Sequence, residues 1–319
     1  MIKRNLARDE YIHKSDVENY SVYDEGYPKI HRTLFGQEVV LYDYDWMWHL
    51  HLKVTDSCNA NCRFCVEQAH RHDRQDSERL LYNTDQMLKQ MKEEQILHSV
   101  SVTGGEPTAY KDLDMLLDIL ERYDIPFLTM NTNAIKLDRY AERMNGLFQA
   151  IDISRHGFTD EENDNIFRAH VPTFKDLKRI KKKMPDTQMR IQAVLTNIKS
   201  VDDMNRFIDT YSFADDISFR RLMILSGEYG VNYNINDDIY NELLEYAFSN
   251  WEFKEQTIQD YYTYEIYNNG KTDITFSYSN MKLLREYEKN ERNFYREFII
   301  HPDGCVTGSW QKDNRILAV

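Results

Sequence analysis

Glycine and proline are scarce, 11 and 6 in 319 residues. That excludes low-complexity linkers and Gly- or Pro-rich arrays, and no internal repeat shows at the usual periods. Long apolar runs are also missing. None approaches the ~18–20 residues needed to cross a bilayer, and the opening segment MIKRNLARDE lacks the apolar core of a signal peptide, so no membrane partner and a cytoplasmic location are expected. Positive charge is in deficit, 40 Lys and Arg against 53 Asp and Glu for a formal charge of −13. A nucleic-acid polymer is therefore not the expected partner, because phosphate binding needs a basic surface. Cysteines number four, and three fall within eight residues, too close together to staple distant loops as disulfides. A reducing compartment follows. What the chain does have is 41% apolar and 13% aromatic residues, enough for a sizeable core. Its length suits one large α/β domain with appendages or two ordinary domains.

Residues 1–47 are polar and Tyr-rich without a clear period and read as an N-terminal extension that packs on the main domain. From Trp48 the pattern becomes regular. Strands are expected at 49–55, 99–103, 126–131, 150–154, 189–195 and 217–224. Between them lie a helix capped by Asn83-Thr84 with Met87, Leu88, Met91 and Ile96 on its apolar face, one marked by Leu113, Leu116, Leu117 and Leu120, and helices at 137–145, 173–183 and 201–209. Six strand units alternating with helices imply a parallel sheet with right-handed crossovers. The two further units of a closed eight-unit barrel are not cleanly supplied: after Leu225 come a helix around 238–248, a Tyr-rich stretch and a hairpin-like pair, TDITFSYS and FYREFIIHPDG. The fold class expected is α/β, a partial (β/α)6 barrel over 48–225 with an α+β C-terminal cap over 226–319. In such barrels chemistry collects at the C-terminal ends of the strands.

Two motifs fall there. The first is Cys58-x3-Cys62-x2-Cys65 in HLKVTDSCNANCRFCVEQ. Three thiolates at this spacing leave the fourth corner of a cubic iron–sulfur cluster without a protein ligand, and an open iron suits chemistry better than electron storage. A structural zinc site is the alternative; it needs four ligands, which His70 and His72 would complete, but it leaves the second motif unexplained. That motif is Gly104-Gly105-Glu106-Pro107 at the end of the second strand. Paired glycines permit close backbone approach, although alone they also read as a turn with Pro107 opening a helix.

Taken together, these motifs, with Phe64 before the last cysteine, Asn131-Thr132-Asn133 ending the third strand and Ser154 ending the fourth, make residues 48–225 resemble the radical S-adenosylmethionine (SAM) enzymes. The resemblance is to the branch that includes the molybdenum-cofactor cyclase and the peptide maturases. It implies a [4Fe–4S] cluster on Cys58, Cys62 and Cys65 whose fourth iron chelates the amino and carboxylate groups of SAM. One electron, from a donor such as flavodoxin or ferredoxin, then gives methionine and a 5′-deoxyadenosyl radical that takes hydrogen from unactivated C–H bonds. It further implies that the Gly104-Gly105 backbone meets the SAM amino group, with Glu106 and Pro107 in the same motif. Asn131, Asn133 and Ser154 are implied for the ribose and carboxylate, Phe64 for the adenine, and Val194 and Leu195 for its apolar wall. Asn131 stands where Thr is commoner, and Ala134 replaces the usual Gly. Asn131, Asn133 and Ser154 also read singly as turn-formers or caps within an otherwise apolar barrel.

Strand alternation sends one of Arg220 and Arg221 inward, where an arginine needs a carboxylate or phosphate partner. For Arg220 the candidates are the SAM carboxylate, an acidic group of the substrate and an intradomain ion pair. Arg155 and His156 are similarly placed, and His156 reads as a proton-transfer group or a structural one. Downstream, where related maturases carry cysteines for auxiliary clusters, only Cys305 remains, in HPDGCVTGSW, with Ser309 about where a ligand would stand. One cluster is expected, which counts against the molybdenum-cofactor reaction and most thioether-forming maturases. Cys305 is a candidate hydrogen-atom donor, or a buried hydrophobe. Tyr261, Tyr262, Tyr264 and Tyr267 read as the lining of a substrate mouth or as a packed surface. The expected substrate is a small molecule in natural-product or cofactor biosynthesis. A ribosomally made peptide to be epimerised or cross-linked is second, and a non-catalytic iron–sulfur or zinc module third.

Overall fold

Apolar residues at every second position of the central segments dictate half-buried strands, and the computed structural model places strands there. It describes residues 2–12, 29–42, 49–65, 75–221, 237–259, 261–280, 284, 294–312 and 315–319. Six strands follow one another through the centre of the chain: β4 (His49–Lys53), β5 (Ser99–Thr103), β6 (Phe127–Thr132), β7 (Ala150–Ser154), β8 (Gln188–Val194) and β9 (Asp216–Arg220). Each pairs in parallel with the next. The three strands before them are β1 (Ile2–Leu6) and the hairpin β2 (Lys29–Leu34) and β3 (Gln37–Tyr42); after them come β10 (Glu252–Gln259), β11 (Tyr262–Asn268), β12 (Asp273–Ser279), β13 (Glu297–Ile300), β14 (Val306–Thr307) and β15 (Ile316–Ala318).

The order in the main sheet is β1-β10-β11-β12-β9-β8-β7-β6-β5-β4-β13-β14-β15. Two expectations change here. TDITFSYS and FYREFII do not form a hairpin with each other. β12 joins β9 and β13 joins β4, both in parallel, so the six-unit barrel gains a parallel strand at each edge. The N-terminal segment is also not merely laid on the main domain, because β1 pairs with β10 at one end of the same sheet.

The two faces of this sheet are chemically opposite. Leu50, Leu52, Val100, Val102, Leu128, Met130, Ile151, Ile153, Met189, Ile191, Ile217 and Phe219 point to one side and are no more than 1% exposed. They pack with helix residues such as Leu88, Leu117, Leu177 and Phe207 in one continuous core, where each buried Leu, Ile or Phe contributes about 1.5–3 kcal/mol. The alternate positions are His49, His51 and Lys53; Ser99 and Ser101; Thr129 and Asn131; Asp152 and Ser154; Arg190 and Gln192; Ser218 and Arg220. The barrel interior is therefore polar rather than apolar. The reason is that burial by helices occurs on the outer side only, so the inner side is free to carry hydrogen-bonding groups.

The helices are α1 (Ser77–Glu93), α2 (Leu113–Leu120), α3 (Ala141–Met144), α4 (Asp160–Phe167), α5 (Phe174–Lys183), α6 (Val201–Thr210) and α7 (Asp237–Asn250). Asp76, not Asn83-Thr84, caps α1, accepting from Arg79 N at 3.1 Å. Asn83 lies inside the helix and donates to Gly304 O at 2.8 Å, tying α1 to the turn after β13. The helix expected at 137–145 splits into a 3-10 turn, Leu137–Arg139, and the short α3. Helix α5 begins as expected, with Thr173 and Asp176 forming a reciprocal cap.

The two ends of the parallel run are joined on the polar side. Tyr261, in the turn before β11, donates to Glu297 Oε1 at 2.6 Å, and Glu297 Oε2 lies 3.0 Å from His51 Nε2. Tyr261 and Glu297 are both buried. Tyr261→Phe removes this link without removing the ring and is expected to lower unfolding free energy by about 1–3 kcal/mol, measured by urea titration.

Candidate functional site

The cysteine loop leaves β4 and is shaped by its neighbour β5. Val54 N donates to Thr103 O at 3.0 Å, Gly105 N to Thr55 O at 2.5 Å and Glu106 N to Ser57 O at 2.9 Å. This close pairing requires glycine. A Cβ on Gly104 would sit 2.4 Å from Thr55 O, and one on Gly105 2.2 Å from Ser57 O; Gly104 also has φ +134°. The pair thus seats the cysteine loop first, and its two carbonyls accept no hydrogen bond from the described residues. Carbonyls left free beside the loop suit an ammonium group.

Glu106 is 1% exposed and collects four donors. Its Oε1 accepts from Thr108 N at 2.9 Å, Thr108 Oγ1 at 2.6 Å and Thr132 Oγ1 at 2.5 Å, and its Oε2 accepts from Asn133 N at 2.7 Å. Burial pushes its carboxyl above the ordinary range and the four donors pull it back. Pro107 opens a 3-10 turn that Glu106 caps. Glu106 is therefore a positioning residue that locks the end of β6 to the end of β5. Beyond the lock, Ala134 adopts φ +65°, a left-handed conformation that explains why glycine is the commoner residue at this place.

Asn133 faces the cysteines. Its Nδ2 donates to Asn59 Oδ1 at 2.7 Å and approaches Cys58 Sγ at 3.8 Å, while Ala60 N approaches the same sulfur at 3.4 Å. Asn59 Nδ2 is buried with no acceptor among the described residues. Two amide donors aimed at one thiol, and a third waiting for an acceptor, fit a sulfide-bearing anionic cluster. Cys58, Cys62 and Cys65 are half-buried and form no disulfide. Among the described residues no three His, Cys, Asp or Glu side chains converge on one point. His70 and His72 lie outside the described residues.

Helix α4 supports the loop from the far side and was missed in the sequence. Thr159 caps it, and Asp160, Glu161 and Glu162 fill its first turn, the start signal that would have found it. Asn61 N donates to Phe167 O at 2.7 Å, and Ala60, Phe167 and Val171 form a small apolar cluster against Cys58 and Cys62. His156 connects this support to the barrel. Its ring stacks on Phe167 at 5.3 Å and meets Phe64 edge-on at 4.9 Å, and its Nδ1 accepts from Val194 N at 3.1 Å. Burial lowers its pKa to about 3, so the imidazole is neutral near pH 7. Arg155 is buried as well, and its guanidinium donates to the carbonyls of Asn133, Ser154 and Pro172 at 3.1, 2.6 and 3.1 Å. It ties the ends of β6 and β7 together and remains charged near neutrality, with burial lowering its pKa to about 10.

Asn133 approaches Cys58, and Phe64 and Val194 are linked to each other through His156. Ser154 stands at the end of β7 with its hydroxyl unpartnered among the described residues. Asn131 lies one step below, donating to Ser101 Oγ at 3.2 Å. Leu195 packs on the hydrophobic core, so Val194 alone of that pair faces the polar side. Arg220 lies apart from the loop, hydrogen-bonded to Gln192 Oε1 at 3.3 Å. Cys305 is buried in the turn after β13, where its amide donates to Asp303 and its carbonyl accepts from His301. Tyr267 belongs to a buried cluster, donating to Glu265 Oε2 at 2.7 Å. Tyr262 and Tyr264 are half-buried on the polar side. His51 and Glu297, unnoticed in the sequence, face the same side.

Residues 52–214, just over half of the chain, match the model of the Radical SAM superfamily. Curated relatives include a probable GTP 3′,8-cyclase of Methanocaldococcus jannaschii, 26% identical over 62% of this chain and 66% of its own length. The GTP 3′,8-cyclase of Campylobacter curvus is 24% identical over 60% and 58%. The first such relatives, from Methanococcus maripaludis, are matched over about 30% of their length. Among solved structures, Streptococcus suis SuiB bound to S-adenosylmethionine aligns with a TM-score of 0.60 at 18% identity, covering 83% of this chain and 61% of that one. Native anSMEcpe with bound AdoMet aligns at 0.53 and 17% identity, over 82% and 74%. These likenesses extend the shared fold beyond the central barrel.

Two outcomes follow from this geometry. Glu106→Gln turns one carboxylate oxygen into a donor facing existing donors, so a loss of about 1–3 kcal/mol is expected in urea unfolding, with a lower iron content after reconstitution. His156 gives up a proton on folding that the unfolded chain holds below about pH 6.5. It therefore lowers stability as pH falls from about 6.5 toward 3, and a shallower acid slope is expected in His156→Gln.

Proposed function

The chain belongs to the radical SAM superfamily, and from that premise we propose that it cleaves SAM reductively and abstracts hydrogen from a small organic substrate held on the polar face of its sheet. When bound, the [4Fe–4S] cluster and SAM used by this family supply a 5′-deoxyadenosyl radical. The observation that carries the reading is the joint placement of three thiols outside any disulfide, two glycine carbonyls that accept no hydrogen bond from the described residues, and an asparagine at the ends of β4, β5 and β6, beside a polar rather than a packed interior.

Each residue then has a task. Cys58, Cys62 and Cys65 hold the cluster, and Asn133 and Asn59 direct amide protons at its sulfurs. Gly104 and Gly105 present their carbonyls to the SAM ammonium group, while Ser154 offers its hydroxyl to the ribose or carboxylate. Phe64 and Val194, fixed to each other through His156, flank the adenine. Glu106 and Arg155 touch no ligand and hold the strand ends in register. Water is kept from this end by the α4 cluster of Ala60, Phe167 and Val171.

A compact substrate is favoured because Tyr262 and Tyr264 already stand over the polar face, and Trp310 lies tilted against His51 with ring centroids 4.6 Å apart. A chain with four cysteines holds one such cluster, which separates this reading from reactions that need a second. Cys305→Ala distinguishes the two readings of the last cysteine. SAM cleavage without substrate turnover identifies a hydrogen donor, and unchanged turnover identifies a packing residue. Peptide maturation is the second reading, motivated by the fold likeness to SuiB, whose solved structures include one bound to its precursor peptide SuiA.

The test is anaerobic reconstitution with iron and sulfide, then SAM and dithionite, with 5′-deoxyadenosine quantified by chromatography. Product is expected from the wild type and none from Cys58→Ala. Zinc in place of iron in the protein as isolated, with no SAM binding after reconstitution, would overturn the proposal.

A further inference from the structure

Among the described residues the cations of the polar face are matched by carboxylates, with one exception. Lys53 lies 2.8 Å from Asp56, and Arg190 contacts both oxygens of Asp152 at 2.6 and 3.0 Å. Arg220 is the lysine or arginine of this face that has no carboxylate within ion-pair range among the described residues. Its hydrogen bond is a long one, 3.3 Å to the Gln192 amide oxygen. The intradomain ion pair open from the sequence is therefore not made among these residues.

The surroundings of this guanidinium come from the C-terminal part of the chain. Arg220 ends β9, with Val194 opposite on β8 and Ser277 opposite on β12. Tyr264 is paired in register with Ser277, and its ring stacks with that of Tyr262 at 6.1 Å. The Arg220 charge acts on both phenols, offsetting part of the rise that burial causes. A half-buried guanidinium without a counter-ion is costly, and its planar fork matches the oxygens of a carboxylate or phosphate. The SAM carboxylate is poorly placed to be that anion. The groups proposed for the SAM ammonium, carboxylate and ribose end β4 to β7, two strands from β9 and roughly 10 Å away at ordinary strand spacing, and only Val194, proposed for the adenine, stands opposite Arg220 on β8.

We propose that Arg220, with Tyr262 and Tyr264, is a binding site for an oxyanion of the substrate, a carboxylate or a phosphate. That the anion belongs to the substrate rests on the radical SAM reading above; that the site takes an oxyanion does not. Gln192 orients the guanidinium, and the Tyr264 hydroxyl is a further donor for the anion, while Tyr262, bonded to Tyr261, walls the site with its ring.

The test is calorimetric titration of the anaerobically reconstituted full chain with inorganic phosphate and, separately, with glutarate, each with and without SAM. At least one probe is expected to bind the wild type and to bind Arg220→Gln about tenfold or more weakly. Arg220→Lys, which keeps the charge but loses the fork, falls between them, and its thermal melt reports on folding. Preference for phosphate marks a phosphorylated substrate, and preference for glutarate marks a carboxylic acid. The proposal is overturned if neither probe binds the wild type, if Arg220→Gln binds as the wild type does, or if SAM displaces the probe, which would assign the guanidinium to the cofactor. Absence of 5′-deoxyadenosine from the same preparation would count against the radical reading alone and leave the titration to be judged separately.

Discussion

Four hydrogen bonds to one buried carboxylate hold this site in register. Glu106 accepts from both donors of Thr108, from the Thr132 hydroxyl and from the Asn133 amide. Through them, the loop that seats the cysteines and the strand end that addresses them become one unit. A neutral side chain at this place would leave donors unsatisfied in a water-poor setting, where each costs about 1–3 kcal/mol. Arg155 repeats the device one strand over, with a cation and three carbonyls. An anion tying amides and hydroxyls and a cation tying carbonyls fix three adjacent strand ends without using any group that a ligand needs.

A second constraint is the division of the sheet into an apolar outer face and a polar inner one. An ordinary closed (β/α)8 barrel fills its interior with Val, Ile and Leu. Here the interior positions are His, Ser, Thr, Asn, Asp, Arg and Gln. Such a lining is tolerable because its groups bond one another, as in Asp152 with Arg190, Asn131 with Ser101 and Glu297 with Tyr261. Folding stability then has to come from the helix side, where the strand residues are almost wholly buried. The polar face is left to function, and an unmatched charge on it becomes informative.

Much of the fold was legible because the signal was local. Alternating apolar residues and caps such as Thr173-x2-Asp176 identify elements from neighbouring residues alone, and the six central strands fall where that pattern puts them. The errors have a common physical origin, namely partners distant in sequence. Nothing near residue 273 says that β12 will pair with β9, nor near residue 297 that β13 will pair with β4. Asn83 read as a cap because asparagine favours that position; its real partner is Gly304, 221 residues away. Likewise the cysteines and glycines were recognisable by spacing, whereas His156 had two readings. Its ties to Phe64, Phe167 and Val194 exist only once three separate segments meet.

The same distance argument explains why Gly104-Gly105 is informative beyond the contacts it offers a cofactor. Both glycines lie so close to Thr55 and Ser57 that a single added carbon would meet backbone oxygen at 2.4 and 2.2 Å. Backbone at such a junction cannot yield as the tip of a flexible side chain does, so any larger residue would push the cysteine loop away from β5. The pair is thus required by the loop before any ligand arrives. It follows that loss of SAM binding on replacing either glycine would not by itself identify a contact, since the thiols would move as well. Contacts are better assigned at Ser154, whose hydroxyl has no partner among the described residues and can be removed while the hydrogen bonds that position the strand ends stay intact.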